Sequence, residues 1–299
     1  MAVERTPISG GVIESYLIPG GPGVPLLVLG GVESGLRPLA GTEQVLRRRW
    51  DGRARRRSVL VVGRPMPDDP ADADLVMHPR LIADAVATAI RDVEARGGPR
   101  PPFAVEAESG GGRISLWLAV DHPQLVSRLV LASVAAETPP DSPMAPRMRQ
   151  WIELAEQDRW AEFFGRLAGQ MRPAQGSAGA DAFQAAARLQ PRPTTPERFL
   201  GELRTTLDPS SFVTSRLGEI TVPALVLAGG RDQVVPEASV RLVAERLPNA
   251  RLEVDPDCGH TVRGDFRGYD ELVEAFLAEG DATRGSDGPA PEPEGGRAR

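Results

Sequence analysis

One serine in this chain stands where a serine can be made reactive. In Phe103–Ser115, FAVEAESGGGRIS, an apolar run leads into Ser109 and three glycines follow it directly. A strand that turns at once into a helix projects such a hydroxyl above the sheet, provided that the neighbours are small enough for a strained turn. Here they are Ala107 two before, Gly110 just after and Gly111 two after, giving A-x-S-x-G, one methyl from G-x-S-x-G. The helix start supplies an N–H and a positive dipole end, which suits the negative oxygen of a tetrahedral intermediate. Two residues downstream could join this chemistry. Asp232 lies just beyond the buried run VPALVLAGGRD, and His260 stands in the loop DPDCGH after the run RLEV. One helix and one strand separate them, which returns both residues to the same edge of a sheet.

The elements that must position these residues read as short β-rich runs alternating with helical ones. That is the pattern of an α/β chain with a mostly parallel sheet and helices on both faces. Val12–Ile18 is expected to open an edge hairpin closed by Pro19-Gly20-Gly21-Pro22-Gly23, with Pro25–Leu29 a fully buried strand. Further strands are expected at Ser58–Val62, Phe103–Ala107, Arg128–Ala132, Pro223–Ala228 and Arg251–Val254. Helices are expected at Gly41–Arg49, Arg80–Ala95, Gly110–Val120, Ala238–Arg246 and Tyr269–Ala278; the apolar residues of Arg80–Ala95 recur with helical period.

Between Glu137 and Gly218 strand signals vanish, and helical stretches are broken at Pro139-Pro140, Gly176–Gly179 and Pro191–Pro196. The expected organisation is therefore a core of residues 1–136 and 216–279, a helical lid inserted at 137–215 and a disordered tail at 280–299. The insertion carries Trp151, Trp160, Phe163, Phe164, Phe183, Phe199 and Phe212. These rings can form the lobe's own core or line an apolar pocket above the sheet, and the two roles are compatible. Gly31, Trp151, Trp160, Phe163 and Phe164 are taken as candidate substrate contacts.

Composition narrows the chemistry further. The chain has 299 residues, 41% of them apolar, enough for a sizeable core, and all 35 basic residues are arginine. Without lysine there is no Schiff base, no lysine-anchored pyridoxal phosphate and no Walker-type phosphate loop. A single cysteine, Cys258, excludes an internal disulfide framework and a multi-cysteine zinc site. Three histidines, His78, His122 and His260, leave little room for a histidine-rich metal site. The opening residues carry no secretory signal pattern, and no run approaches the roughly 18 apolar residues of a membrane span. With a net charge of −6, the chain is expected to be cytoplasmic, with a small-molecule substrate and neither nucleic acid nor membrane as partner.

The order serine, carboxylate after a late strand, histidine after the last strand resembles the α/β hydrolase superfamily. LVLAGGRDQVVP and GGGRISLWLAVDHPQLVSRLVLAS look like its capped, single-chain esterase-like branch, and the likeness runs from about Gly10 to Ala278. The resemblance implies an α/β hydrolase fold in which Ser109 is the nucleophile, His260 the general base, and Asp232 the group that fixes the imidazole. It implies an oxyanion hole made by the N–H groups of Gly110 and Val32, with Gly31 a near neighbour. It implies no metal and no organic cofactor. The expected reaction is hydrolysis, through an acyl-enzyme, of a small or medium carboxylic ester, thioester or lactone with an apolar acyl part. The same fold also serves perhydrolases, C–C bond hydrolases, non-hydrolytic biosynthetic catalysts and catalytically idle binding proteins. Two departures stand out: Gly30-Gly31 where the family usually has His-Gly, which removes a side chain that commonly supports the oxyanion loop, and Ala107 for the first glycine of the elbow.

The remaining candidates read as structural. His122 closes the helix after the serine, His78 sits in a turn before a helix, and Cys258 lies too close to His260 to be served by the same ring. Asp255, Asp257 and Asp265 are expected as solvated loop carboxylates. Arg47–Arg57, RRRWDGRARRR, packs arginines around Trp50. It reads as a solvated helix end and loop, or else as a docking patch for an acidic carrier protein.

Overall fold

The computed structural model describes residues 2–172, 185–189 and 195–286. Phe183, the expected break at 176–179 and most of that at 191–196 lie outside the described residues. Among the described residues, nine strands form one sheet: β1 (Glu4–Ile8), β2 (Gly11–Pro22), β3 (Leu26–Leu29), β4 (Arg57–Val62), β5 (Met66–Pro67), β6 (Phe103–Glu108), β7 (Val126–Ala132), β8 (Ala224–Gly229) and β9 (Ala250–Asp255). Their order is β1-β2-β4-β3-β6-β7-β8-β9, with β5 paired to β2. From β4 onward in that order every pairing is parallel, while β1, β2 and β5 run antiparallel.

Parallel strands covered on both faces must be apolar on both, and β3 and β8 are buried along their whole length. Alternate residues of β3, β4 and β8 enter two separate cores. Leu27, Leu29, Val105 and Val226 share one core with residues of α4 (Pro79–Ala95) and α5 (Gly110–Asp121). Leu26, Val28, Ala104 and Leu225 pack with Trp50, Val273 and Phe276. Those three come from the helices on the opposite face, Glu43–Ala54 and Tyr269–Ser286. The result is the expected α/β hydrolase fold, a mostly parallel sheet with helices on both faces.

Local expectations are corrected at the hairpin, at the basic run and at the closing helix. The partner of β2 in the hairpin is β1, turned at Ser9-Gly10, and Pro19–Gly23 does not close it. The strand β2 instead continues to Pro22 beside β4, with a register shift after Ile18. A side chain at Gly20 would collide with the carbonyl oxygens of Ala54 and Arg57, so close approach of backbone explains this glycine. The helix expected at Gly41–Arg49 spans Glu43–Ala54, and two arginines of the basic run are buried rather than solvated. Arg53 pairs with Glu106 at 3.2 Å and Glu274 at 2.9 Å, and Arg57 with Asp281 at 3.1 Å. Asp281 also accepts from the backbone N–H of Val24 at 2.7 Å. Held in this way, the closing helix passes the expected Ala278 and runs Tyr269–Ser286, taking in the start of the expected tail. Residues 287–299 lie outside the described residues.

The inserted segment contributes the helices Ala145–Glu156, Trp160–Met171 and Pro196–Leu207. Their aromatic rings meet edge to face, the arrangement that sets a ring's positive rim against its neighbour's negative face. Phe163 lies 5.1 Å from Phe164, 5.4 Å from Phe199 and 5.6 Å from Trp160, centroid to centroid. Among the described residues, no helix is long and apolar enough to cross a membrane.

Candidate active site

The turn between β6 and α5 holds Ser109 at φ 51° and ψ −122°, a conformation that costs a non-glycine residue about 1–3 kcal/mol. The surrounding backbone over-determines it. Ser109 N–H donates to Ala132 O at 3.0 Å, and a side chain at Gly111 would collide with the Leu29 and Gly30 carbonyl oxygens. The run of glycines therefore lets the helix start press against the end of β3.

Ser109, His260 and Asp232 come together in one hydrogen-bonded chain. His260 Nε2 is 3.1 Å from Ser109 Oγ, and Nδ1 is 2.8 Å from Asp232 Oδ2. Asp232 Oδ1 accepts the backbone N–H groups of Val234 and Val235 at 2.8 and 2.9 Å. With its other oxygen so occupied, the carboxylate is aimed at the ring. A proton on Nδ1 is donated to Asp232, which leaves Nε2 to accept the serine hydroxyl. The histidine loop is also tied to the insertion, because His260 N–H donates to Met171 O at 2.9 Å and Arg172 Nε to Thr261 Oγ1 at 3.2 Å.

Two helix starts lie beside Ser109. The short helix Val32–Leu36 begins at Val32 with Gly31 before it, and α5 begins at Gly110. The first N–H groups of a helix have no partner within it. Where the expected histidine is missing, Arg64 braces the loop, with Nη2 donating to Gly30 O at 2.9 Å and its own N–H to Gly35 O at 2.9 Å. The same guanidinium grips Glu202 of the insertion, Nη2 to Oε1 at 2.8 Å and Nε to Oε2 at 3.1 Å, with Arg64 fully buried. A Cβ added at Gly110 would stand 2.9 Å from Glu202 Oε1 and 3.0 Å from the Val32 side chain, so this ion pair adjoins the two helix starts. The sequence reading missed both residues. Nothing local marks Arg64 as buried, and its partner comes from a different lobe.

Two cavities meet at Ser109. The larger, about 580 Å³, is lined by Gly31, Val32, Ser109 and His260 from the core, and by Trp151, Phe163, Leu167, Met171 and Phe199 from the insertion. Arg37, Arg49, Arg172, Arg263 and Glu108 also border it. The smaller, about 80 Å³, is lined by Ser109, Gly110 and Val32 with Met77, Ile82, Ile114, Ala135, Met144 and Met148. Of the expected substrate contacts, Gly31, Trp151 and Phe163 border a cavity. Trp160 and Phe164 border neither; they sit 4% and 6% exposed in the insertion's own core.

The other singled-out residues hold structure together. His78 caps α4, its Nδ1 accepting Arg80 N–H at 3.3 Å, and burial pushes its pKa down. His122 Nε2 is 2.7 Å from Asp84 Oδ1. Cys258 is buried, and burial, reinforced by Asp255, Asp265 and Asp232, pushes its thiol up to about 12. Asp255 departs from the expected solvated carboxylate: it is 5% exposed and accepts the backbone N–H groups of Arg267 at 2.9 Å and Asp257 at 3.0 Å. Asp257 pairs with Arg231 at 2.8 Å and Asp265 with Arg172 at 3.3 Å. Among the described residues, no group of three His, Cys, Asp or Glu side chains could hold a metal ion.

Comparison with known proteins agrees with this architecture. The profile of the family described as serine aminopeptidase, S33, matches residues 76–266. A 2-hydroxymuconate semialdehyde hydrolase of Pseudomonas putida is 27% identical over 189 residues, 60% of this chain and 63% of that protein. A 2-hydroxy-6-oxononadienedioate/2-hydroxy-6-oxononatrienedioate hydrolase of Cupriavidus pinatubonensis is 30% identical over 177 residues, 56% of this chain and 60% of that protein. The chain thus spans about three fifths of the length of these curated relatives. Among solved structures, an esterase from Exiguobacterium antarcticum superposes with a TM-score of 0.70 at 18% identity, covering 93% of this chain and 99% of that one. An N-acyl homoserine lactone degrading enzyme superposes with a TM-score of 0.67 at 21% identity, covering 91% and 100%.

Proposed function

As a member of the serine aminopeptidase S33 family of α/β hydrolases the chain is a hydrolase, and we propose that it cleaves a carboxylic ester, thioester or lactone through an acyl-enzyme on Ser109. The observation that carries this reading is the chain of contacts from Ser109 Oγ to His260 Nε2 at 3.1 Å and from His260 Nδ1 to Asp232 at 2.8 Å. Serine is a weak nucleophile at its own pKa and needs such a base.

In the proposed sequence His260 Nε2 takes the hydroxyl proton as Ser109 Oγ bonds to the carbonyl carbon. The carbonyl electron pair moves onto oxygen, and that oxyanion accepts the N–H groups of Gly110 and Val32. Loss of one such donor costs about 10²–10³ in kcat. The imidazolium, stabilised by Asp232, then gives its proton to the leaving oxygen or sulfur as that bond breaks. A water repeats the attack on the acyl-enzyme with His260 again as base, releasing the acid and restoring the serine.

The relatives named above favour a second reading, in which the same serine acts on an oxo acid such as 2-hydroxymuconate semialdehyde. The test is hydrolysis of p-nitrophenyl acetate and of that semialdehyde by the wild type, Ser109→Ala and His260→Gln. Wild-type turnover of the ester is expected, with a loss of about 10⁴ or more in kcat for each variant. Ester turnover that survives in Ser109→Ala overturns it, and turnover of the semialdehyde alone moves the assignment to the second reading.

A further inference from the structure

The two cavities at Ser109 differ in which reacting group they contain, and from this we infer the substrate's shape. The chain is built for esters that join a short carboxylic acid to a bulky, largely apolar alcohol. This rests on the proposed roles of Ser109 and His260.

After attack, the carbonyl carbon carries four groups: serine oxygen, oxyanion, leaving oxygen and acyl chain. The leaving oxygen has to come within hydrogen-bond reach of His260 Nε2, because that nitrogen supplies its proton. Ser109 and Val32 border both cavities; His260 borders only the larger of the two and Gly110 only the smaller. The alcohol portion therefore extends into the cavity of about 580 Å³, and the acyl chain is left with the cavity of about 80 Å³.

That smaller space sets a limit. A cavity of roughly 150 Å³ holds a benzene ring, so about half of that admits an acyl group of about two to four carbons. Its walls do not yield easily. Met77 and Ile82 are fully buried, and Ile114, Ala135, Met144 and Met148 are at most 6% exposed, in a core where each added methylene has to displace a packed neighbour. Its charged neighbours are already engaged. Arg113 donates to Ala135 O, Thr206 O, Ser211 Oγ and Thr138 Oγ1, and Glu202 is held by Arg64. The acyl group accordingly meets a mainly apolar wall. The larger cavity takes an apolar wall from side chains of the insertion, Trp151, Phe163, Leu167, Met171 and Phe199, which suit an apolar alcohol, while four arginines and Glu108 complete its border.

Hexyl acetate and methyl heptanoate are isomers that place the same carbons on opposite sides of the ester. Steady-state hydrolysis of the two by the wild type reads the partition directly, with fluorophosphonate labelling of Ser109 run in parallel. The expected result is a kcat/KM for hexyl acetate higher by about tenfold or more, since single methylenes in a tight pocket carry such factors. Met148→Ala, which enlarges the smaller cavity, narrows that ratio by improving methyl heptanoate. Leu167→Ala, in the larger cavity, leaves methyl heptanoate poor. Equal rates or a preference for methyl heptanoate, in protein that labels at Ser109, overturn the partition alone. Protein that neither labels nor hydrolyses either ester overturns the reading of Ser109, and the partition with it.

Discussion

The strand ends under Ser109 and the helices above it hold the site by different means. At the strand ends backbone meets backbone: the helix start of α5 lies so close to Leu29 and Gly30 that only glycine fits at position 111. In the insertion side chain meets side chain, with rings edge to face, and a Cβ at Gly165 would stand 2.7 Å from the Arg188 side chain rather than against a carbonyl. The geometry around Ser109 is thus set by backbone packed against backbone. The shape of the chambers is set by parts that can be exchanged one at a time. Such a division lets a substrate range change while the chemistry stays, and it is joined at the buried ion pair of Arg64 with Glu202.

The largest expected contrast sets Gly111→Ala against Gly165→Ala. The first forces a methyl into two carbonyl oxygens and should abolish soluble folded protein or lower Tm by more than about 10 °C. The second meets a flexible side chain and gains about 1 kcal/mol of helix propensity, so its Tm should stay within a few degrees. Thermal melts decide it, and equal effects would erase the contrast. Next comes the bridge. Arg64→Met leaves Glu202 buried without its partner and should cost about 3–5 kcal/mol in denaturant unfolding. Adding Glu202→Met to it should recover most of that stability while kcat stays low, because Gly30 O has still lost its donor. Recovery of kcat with stability would make the pair structural only.

A smaller effect is expected within the insertion. Trp160→Leu removes a ring from the aromatic cluster and should cost about 1–3 kcal/mol without changing ester preference. Trp151→Leu, at the junction of both cavities, should shift that preference. The smallest effect is electrostatic. The Arg267 backbone N–H, with that of Asp257, holds the Asp255 carboxyl below its ordinary range, so its ionised form stabilises the fold. That contribution is complete above the ordinary aspartate pKa of about 3.9 and disappears as pH falls through the lower folded value. Acid unfolding of Asp255→Asn should therefore lie below the wild type near neutral pH and converge with it in strong acid. Parallel curves at every pH would contradict this.

The parts of this arrangement that were legible in the sequence are those written locally. Buried parallel strands read as continuous apolar runs, and a tight strand-to-helix turn needs small residues at fixed offsets, so Ser109, Asp232 and His260 could be singled out from a few neighbours each. What escaped depends on distant partners. Arg53 and Arg57 look like solvated charges until Glu274 and Asp281 arrive from the closing helix, and Arg64 looks ordinary until Glu202 arrives from the insertion. Pro19–Gly23 has turn composition, yet Gly20 answers to the carbonyls of Ala54 and Arg57. Composition marks the insertion as aromatic but cannot say which ring faces a cavity and which faces another ring, and Trp151 and Trp160 divide on that point.

The proposed chemistry depends on activation of Ser109 by His260 and Asp232. Its most direct test is intact-mass analysis after a fluorophosphonate, which captures a serine only where base and oxyanion donors are assembled. A single adduct is expected on the wild type and none on Ser109→Ala. A folded wild type that takes no adduct, or a Ser109→Ala variant that takes the same one, would contradict it.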